Sequence, residues 1–246
     1  MAAEPEVAAA DYEAHKAAAE ADADAIMENF AKMTAPEVAA MTKLTLSLAA
    51  KMRLCAYEFP NKRIGNKAIE AFTGVVFDAL DYATLSAEAR RRCQKNVGII
   101  SSLYGFLNPE DIIKNYRLDF TSSLLPPAGN EMTAYAFQKK SATINLVRRL
   151  KEENHTSILN LMPGDASKCI DWKLVKNFAK VWKVDFTDAA TDKTPNAGRL
   201  KTLRGLLLRQ LLEEGINDPE ALKSIVSDHY LCTGTPRYPD HLHFLS

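Results

Sequence analysis

The sequence predicts an α+β fold in which helices pack against a mixed, partly parallel β-sheet. Short apolar or alternating segments at residues 97–101, 155–161 and 181–188 are typical of strands, and stretches with helical spacing separate them. The 246 residues are 47% hydrophobic and 25% charged, with a formal net charge of zero. These values are typical of a globular protein and exclude the disordered, collagen-like and membrane-embedded classes.

The N-terminal region is acidic and rich in alanine, which predicts a helix over residues 6–33. Its larger apolar residues share the last turns, at Ile26, Met27, Phe30 and Met33. We therefore expect this helix to dock mainly by its C-terminal end. Residues 1–30 contain eight acidic residues and one lysine, so the rest of the chain is basic.

Three further helices are predicted before the first strand. Thr34-Ala35-Pro36-Glu37 is a capping box with proline in the first turn. Apolar residues follow it at spacings of three and four, at Val38, Met41, Leu44, Leu48, Met52 and Cys55. Another helix is predicted over residues 67–72, and Ser86 is a typical N-cap for one that contains arginines 90–92.

The strand at residues 97–101 leads into the densest polar segment of the chain. A strand end that carries hydroxyl groups, a tyrosine and a glycine is typical of ligand sites on sheets with helical crossovers. We therefore expect a cleft lined by Ser101, Ser102, Tyr104, Gly105 and Tyr116, with Asn160 from the next strand. The alternative is that Asn108-Pro109 caps a helix and that Tyr104 packs in the core.

Helices and strands alternate in the second half of the chain. Residues 131–152 predict a long helix, the strand at 155–161 ends before the Pro163-Gly164 turn, and a short helix opens near Asp165.

The strand at residues 181–188 alternates, with Trp182, Val184 and Phe186 on one face and Lys183 and Asp185 on the other. A helix is predicted over residues 199–214, and Asp218-Pro219-Glu220 is expected to cap a short one.

No internal repeat or long linker divides the chain, which favours a single domain over residues 1–246. It would consist of the acidic N-terminal helix, residues 1–33, and a core, residues 34–246. The N-terminus lacks the basic and apolar regions of a secretion signal, and no apolar run approaches about 18 residues. We therefore expect a cytoplasmic monomer that makes no membrane contact.

The common signatures of catalysis and nucleotide binding are absent from the sequence, and no cofactor is predicted. His241 and His243 could place two imidazoles on one strand face at a mobile C-terminus. No third ligand follows at a suitable spacing, so no metal site is predicted. The cysteines are far apart in sequence, at Cys55, Cys93, Cys169 and Cys232. Without a C-x-x-C pair, we expect buried thiols.

Five ordered segments between about Thr34 and Tyr230 resemble a known family. The most specific is Ser101-Ser102-Leu103-Tyr104-Gly105-Phe106-Leu107-Asn108-Pro109-Glu110-Asp111, and Tyr116-Arg117-Leu118-Asp119 follows it. The others are Ala71-Phe72-Thr73-Gly74, Asn160-Leu161, and Lys201-Thr202-Leu203-Arg204-Gly205-Leu206 with Arg209. Together they resemble the peroxide-stress protein YaaA family, a group of bacterial cytoplasmic proteins.

Several positions depart from the family pattern. Nothing like the family's first strand and Ser-Pro-Ala-Lys-Thr-like loop precedes Asp11, so we expect one strand and one basic wall of its cleft to be missing. Asn108 replaces a common arginine, Val75 an aspartate, and Gln138-Lys139-Lys140 a Trp-Gly-Asp-like triplet. The resemblance is therefore that of a divergent or truncated member.

The resemblance implies a compact fold with a sheet wrapped by helices, a positively charged cleft, and DNA binding that includes a helix-hairpin-helix-like element. The family is associated with survival of hydrogen peroxide and with limiting free intracellular iron. Residues 34–57 are the candidate for the hairpin, although the tight glycine turn typical of such hairpins is absent.

Three functional hypotheses follow. The first is a DNA-binding stress protein whose cations contact phosphates, while Tyr104 or Tyr116 lines the groove or stacks on a base. The proposed cations are Arg117, Lys168, Lys201, Arg204 and Arg209. Residues 139–209 contain fifteen Lys or Arg against seven Asp or Glu. The alternative for these cations is a solvated helix face with ion pairs to Glu213 or Glu214.

The second hypothesis is an enzyme that processes a nucleotide or a nucleic-acid base in the same cleft. Asp165 would act as general base if burial raised its pKa, Tyr104 is a weaker catalytic candidate, and Arg117 would hold a phosphate. The alternative is that Asp165 is an N-cap.

The third is an interaction protein whose acidic N-terminal helix covers its own basic cleft, so that deletion of residues 1–30 would increase DNA affinity.

Overall fold

The structure is a computed structural model that describes residues 9–62, 64–126, 130–218, 220–233 and 240–246. The chain forms two compact units, each assembled from three segments. Unit 1 comprises Met1–Phe72, Gly98–Leu146 and Gly164–Asp171. Unit 2 comprises Thr73–Val97, Val147–Pro163 and Trp172–Ser246. The single domain over residues 1–246 stays a prediction.

The helices occupy most of the predicted positions. They are α1 Ala9–His15, α2 Glu20–Lys32, α3 Ala35–Thr42, α4 Leu46–Glu58, α5 Ala68–Ala71, α6 Val75–Leu80, α7 Ala87–Asn96, α8 Ala134–Glu152, α9 Gly164–Ser167, α10 Trp172–Val175 and α11 Ala197–Glu214. Short 3₁₀ turns lie at Phe59–Asn61, Tyr82–Thr84 and Ala221–Ser224. None of the helices in the described ranges has the length and apolar content that crossing a bilayer requires.

The strands form one larger sheet and three two-stranded sheets. They are β1 Asn66–Lys67, β2 Ile99–Ser101, β3 Gly105–Leu107, β4 Ile112–Ile113, β5 Ser123–Leu124, β6 Met132–Thr133, β7 Ser157–Asn160, β8 Lys180–Thr187, β9 Val226–Ser227, β10 Tyr230–Cys232 and β11 His241–Leu245. The pairs β1–β4, β2–β3 and β5–β6 are antiparallel and belong to unit 1.

The N-terminal segment of unit 1 is two helices rather than one. Between α1 and α2, Lys16 forms a parallel bridge with Ile112, and the Ala17 N–H donates to the Ile112 carbonyl at 3.1 Å. The chain therefore leaves the helical conformation to pair with β4. The last turns of α2 are docked as expected, because Ile26, Met27 and Phe30 are all buried. Tyr12 of α1 is 0% exposed, however, so docking mainly by the C-terminal end is not what the structure shows.

The capping box at Thr34 is confirmed, but the helix that it starts is short. Both bonds of the box form, between the Thr34 side chain and the Glu37 N–H and between the Glu37 side chain and the Thr34 N–H. Helix α3 ends where Lys43 adopts a left-handed conformation with φ 59°. The Thr45 hydroxyl then caps α4. A helical hairpin with a three-residue connection results.

The predicted strand at residues 97–101 is β2, but its surroundings differ from those expected. Among the residues that the structure describes it pairs only with β3, in an antiparallel hairpin closed by residues 102–104. The interpretation of its end as the edge of a sheet with helical crossovers is therefore wrong. The turn returns the chain directly beside β2, so no crossover helix intervenes.

Unit 2 contains the mixed, partly parallel sheet, with strand order β7-β8-β11-β10-β9. The first three strands are parallel and the rest are antiparallel, so the predicted fold class is confirmed. The alternating strand buries Trp182, Val184 and Phe186 against leucines of α11, as expected.

The histidine pair lies in this sheet. His241 and His243 belong to β11, which is inserted between β8 and β10. The expectation that they sit at a mobile end of the chain is therefore wrong. Pro219, part of the predicted cap after α11, lies outside the described residues, and the Asp218 carboxylate accepts from the Glu220 N–H at 3.0 Å.

Candidate nucleic-acid interface

The predicted cleft residues of unit 1 come together around the β2–β3 turn. The Ser101 hydroxyl lies 2.7 Å from the Tyr116 hydroxyl and accepts the N–H groups of Leu103 and Tyr104, at 3.2 and 2.8 Å. The Ser102 hydroxyl donates to the Leu118 carbonyl at 2.7 Å. Ser101 and Ser102 are both buried. Their hydroxyl groups are therefore used to hold the turn.

The two tyrosines of this group are interior side chains. Tyr104 is 2% exposed, its hydroxyl accepts from the Lys114 N–H at 3.1 Å, and its ring meets that of Tyr116 edge to face. Burial raises the pKa of Tyr104 well above its ordinary value and also raises that of Tyr116. Packing of Tyr104 in the core, one of the two alternatives for this residue, is what the structure shows.

Gly105 has a backbone requirement. Its φ is +73°, and a Cβ there would lie 2.8 Å from the Gln138 Oε1. The Gln138 amide donates to the Leu103 carbonyl at 2.6 Å, so this side chain also braces the turn. Asn160 belongs to unit 2, where it ends β7 and its Oδ1 accepts from the Met162 N–H at 3.0 Å.

Asp165 lies on the surface of unit 1. Its side chain is 57% exposed and forms an ion pair of 2.8 Å with Lys168. The hydrogen bond that Lys168 donates to Asp165 raises the pKa of Lys168, whose Nζ also lies 5.3 Å from the centre of the Tyr135 ring. The burial on which the general-base hypothesis depends is therefore absent at Asp165.

Three arginines of unit 2 bind the C-terminal ends of neighbouring helices. Arg209 donates to the Leu80 and Asp81 carbonyls at the end of α6, at 2.9 and 3.0 Å. In the same way, Arg92 binds two carbonyls at the end of α11, and Arg149 binds three at the end of α7. The last carbonyls of a helix have no partner within it, and cations near them are favourable. These three arginines are thus used within unit 2.

The acidic residues at the end of α11 are not ion-paired with its cations as the alternative supposed. Glu213 accepts from the Ser86 N–H and hydroxyl at 3.0 and 2.7 Å, and these bonds lower its pKa. Glu214 accepts from the Gln210 amide at 2.8 Å. Neither carboxylate neutralises Lys201 or Arg204.

Arg204 differs from the other arginines of α11. It is half-buried, yet it makes neither a hydrogen bond nor an ion pair with any residue that the structure describes. Desolvation lowers the pKa of its guanidinium, and the negative charge of Asp185 opposes this effect. Lys201 is exposed one turn earlier on the same face, and it too has no bonded partner within the described ranges.

Arg117 is the remaining predicted phosphate contact, and it belongs to unit 1. It is exposed and bonds to no side chain in the part of the chain that the structure describes. The five predicted phosphate contacts therefore fall into two groups. Lys168 and Arg209 are used within their units, whereas Arg117, Lys201 and Arg204 are available to an anion.

Sequence reasoning missed a buried ion cluster in unit 1. Lys114 is 1% exposed, and its Nζ lies 2.7 Å from the Asp24 carboxylate, 3.2 Å from that of Glu20 and 4.9 Å from the centre of the Phe59 ring. About ninety residues separate Lys114 from Glu20 and Asp24, so no local sequence pattern predicts the contact. The only sequence signal is a lysine directly after the apolar pair Ile112-Ile113.

The histidines and cysteines show no metal-binding arrangement among the described residues. His241 contacts the Asp185 carboxylate through Nδ1, and His243 lies 2.8 Å from the Thr187 hydroxyl and 3.2 Å from that of Thr233. Cys93 and Cys169 are buried, as expected, whereas Cys55 and Cys232 are half-buried. Burial raises the pKa of Cys169 to about 12, so this thiol stays protonated at neutral pH.

The fold and the site together define an α+β protein with a half-buried arginine that forms no ion pair among the described residues, on its last long helix. A model of the peroxide stress protein YaaA family matches residues 2–234, and the chain therefore belongs to that family. The resemblance found in the sequence is thereby confirmed. The expected absence of the family's first strand concerns residues before Asp11, most of which lie outside the described residues.

Curated relatives of the chain are UPF0246 proteins. One from Janthinobacterium sp. (strain Marseille) is 33% identical over 165 residues, which cover 67% of this chain and 62% of that protein. One from Bordetella petrii is 28% identical over 225 residues, or 89% and 86% of the two chains. One from Polynucleobacter necessarius is 30% identical over 210 residues, or 83% and 80%.

Proposed function

We propose that this protein acts in the cytoplasm during peroxide stress by binding DNA, with Arg204 and Lys201 of α11 as phosphate contacts. The observation that carries the proposal is the half-buried guanidinium of Arg204, which has no hydrogen bond or ion pair among the described residues. Membership of the peroxide stress family supports the biological context.

A partly desolvated charge that forms no ion pair is unfavourable, and a bound anion would relieve that cost. Phosphate suits a guanidinium because its oxygens accept two parallel N–H bonds. Lys201 lies three residues before Arg204 and would contact the same or the next phosphate. Arg209 is left out of the proposed contacts, because its donors already bind the end of α6.

The α3–α4 hairpin supports a second phosphate contact in unit 1. Helix-hairpin-helix elements need a tight turn, which glycine usually supplies, and here Lys43 adopts the left-handed conformation instead. The Lys43 side chain is exposed beside the start of α4. The helix-hairpin-helix assignment and the role of Arg117 are parts of this proposal.

The test is fluorescence anisotropy of the protein with a labelled duplex and with the matching single strand, across salt from about 50 to about 200 mM. The double variant Lys201→Ala, Arg204→Ala should bind at least tenfold more weakly. If two phosphate contacts are lost, the slope of log affinity against log salt should become shallower by about 1.8 for the duplex.

The matched control is Lys95→Ala, Lys223→Ala, which removes two positive charges from unit 2 outside α11. Lys95 is exposed at the end of α7, and Lys223 pairs with Glu220. This variant should retain the wild-type slope. No binding at the lowest salt, or equal slopes for the wild type and the Lys201, Arg204 variant, would refute the proposal.

We do not extend the proposal to an enzymatic reaction, because no observation favours one. The hydroxyl groups of Ser101, Ser102 and Tyr104 hold the β2–β3 turn, and Asp165 is exposed.

The hypothesis that the acidic N-terminus masks a basic surface remains a prediction, and it needs a test other than deletion. Deleting residues 1–30 would remove Ile26, Met27 and Phe30 from the interior of unit 1. Asp22→Asn with Glu28→Gln changes two exposed acids instead, and masking would then appear as increased DNA affinity.

A further inference from the structure

Helix α4 has two apolar faces, and only one of them is used within unit 1. Ala49, Met52 and Ala56 are buried against the rest of the unit. On the other side lies the α4 stripe, which we define as Leu46, Ala50, Leu54 and Tyr57. At 3.6 residues per turn these four positions fall within an arc of roughly 80° and extend over roughly 17 Å.

The large side chains of the α4 stripe are unusually exposed for apolar residues. Leu46 is 59% exposed, Leu54 is 65% exposed and Tyr57 is 75% exposed. Ile64, shortly after the helix, is 45% exposed. Single exposed apolar residues are ordinary, but an ordered row at helical spacing is typical of a helix that packs against another helix.

The charges around the α4 stripe identify the kind of partner. Among residues 43–62, which contain the stripe, are the cations Lys43, Lys51, Arg53 and Lys62 and the single acid Glu58. Arg53 donates to the Met33 carbonyl and Lys62 pairs with Glu58, whereas the side chains of Lys43 and Lys51 bond to no described residue. The rim is therefore cationic, and a complementary partner carries acidic residues beside its own apolar row.

A second copy of this chain fits the stripe poorly. In an antiparallel pair of α4 helices, the central cations Lys51 and Arg53 would face the same cations of the other copy. A strip about 20 Å long and about 10 Å wide is also far smaller than the about 800 Å² per partner of a stable interface. Phosphates would leave the leucines and the tyrosine without apolar contacts, so DNA does not explain the stripe either.

We propose that the α4 stripe is a docking surface for an acidic amphipathic helix of a partner protein. Leucines of that helix would pack on Leu46, Leu54 and Tyr57, and its acids would meet Lys43 and Lys51. The small area makes this a weak, transient contact. The inference uses no residue of α11, and Lys43 is the one residue that it shares with the proposed DNA contacts.

The test uses two synthetic helical peptides of roughly 18 residues, each with leucines on one face. One carries glutamates on its polar face and the other lysines. Anisotropy with the full chain should show saturable binding of the glutamate peptide, and the lysine peptide should bind at least tenfold more weakly. Leu54→Gln with Tyr57→Gln should weaken the glutamate peptide at least tenfold.

The matched control replaces two exposed apolar residues on other helices, Ile144→Gln and Leu174→Gln, and should leave peptide binding unchanged. Glutamine is a good helix former, so both double variants should keep the wild-type melting temperature. A second, conservative variant, Leu54→Met with Tyr57→Phe, should retain binding and separates loss of the surface from loss of the fold.

Several outcomes would overturn this inference. They are no binding of the glutamate peptide at about 1 mM, equal binding of the two peptides, or binding that survives Leu54→Gln with Tyr57→Gln. A dimer that this variant dissociates in sedimentation would assign the stripe to a second copy. Variant-sensitive binding to vesicles of phosphatidylcholine and phosphatidylglycerol, or to a DNA duplex, without peptide binding would assign it to those partners.

Discussion

Lys114 of unit 1 and Arg204 of unit 2 are both withdrawn from water, and the two cations differ in what surrounds them. Lys114 in unit 1 is buried against two carboxylates, at 2.7 and 3.2 Å. Arg204 in unit 2 is half-buried and contacts no carboxylate at ion-pair distance in the described ranges. A buried charge with counter-ions serves the fold, whereas one without them indicates a ligand. The presence or absence of counter-ions distinguishes a structural cation from a ligand-binding one better than the degree of burial does.

The largest expected effect is that of Lys114→Ala. This change removes the Lys114 ammonium from buried Glu20 and partly buried Asp24, and it should lower the free energy of unfolding by about 3–5 kcal/mol. Urea denaturation measures the change. Lys114→Met combined with Glu20→Gln and Asp24→Asn should recover most of the loss, because no charge remains buried. A loss of less than about 1 kcal/mol for Lys114→Ala would contradict the structural role that distinguishes Lys114 from Arg204.

Arg209→Ala tests the difference between two arginines of α11, Arg209 and Arg204. It removes the two bonds to the Leu80 and Asp81 carbonyls, and it should cost about 1–3 kcal/mol of unfolding free energy. The salt dependence of DNA binding should stay as in the wild type, since this guanidinium contacts protein. The control Lys95→Ala should remain within about 0.5 kcal/mol of the wild type. A shallower salt slope for Arg209→Ala would place this residue among the phosphate contacts.

The pH dependence of the stability of Tyr104→Phe tests the burial of the Tyr104 hydroxyl, which contacts the Lys114 backbone. At neutral pH the Lys114 N–H loses its acceptor, which should cost about 1 kcal/mol. Burial raises the pKa of Tyr104 above the ordinary value of 10.0, so the folded state keeps a proton that the unfolded state loses above pH 10.0. Stability should therefore fall as pH rises above that value, by up to about 1.4 kcal/mol per pH unit.

The phenylalanine variant should show a smaller alkaline loss, measured by urea denaturation between neutral pH and about pH 11. Tyr57→Phe, at an exposed position, serves as the control and should change stability at neutral pH by less than about 0.5 kcal/mol. An identical alkaline profile for Tyr104→Phe and the wild type would contradict the burial of this hydroxyl.

The smallest effect on stability is expected for Arg204→Leu. Removing a desolvated cation without a counter-ion should leave the unfolding free energy unchanged or raise it by up to about 1 kcal/mol. DNA affinity should fall at the same time, so one variant separates stability from binding. A destabilisation of more than about 1 kcal/mol would reveal a structural role and end the contrast with Lys114.

Local patterns predicted the fold well where the determining contacts are local. The Thr34 capping box, the Ser86 cap of α7 and the alternation of β8 all form as expected. The break between α1 and α2 and the confinement of β2 to a hairpin were not predictable in this way. Both depend on pairing with a distant or adjacent strand, which periodicity within a helix or strand does not encode.

The candidate site was predictable only in part. The sequence identified α11 as basic, but it could not separate Arg204 from Arg209, because the difference lies in the carbonyls at the end of α6. The serines and Tyr104 were expected to line a cleft and instead hold a turn. A hydroxyl that meets a ligand and one that meets a carbonyl look the same in sequence.

Gly205 follows Arg204 directly and faces α6 at very short range, since a Cβ there would lie 2.3 Å from the Val76 carbonyl. The two helices touch backbone to backbone at this point, so α11 has little freedom to slide along its axis or to roll. Arg204 and Lys201 thus belong to a helix whose position is fixed by its close contact with α6. Gly205, which has no side chain, thereby determines where the charged side chains of Arg204 and Lys201 are placed.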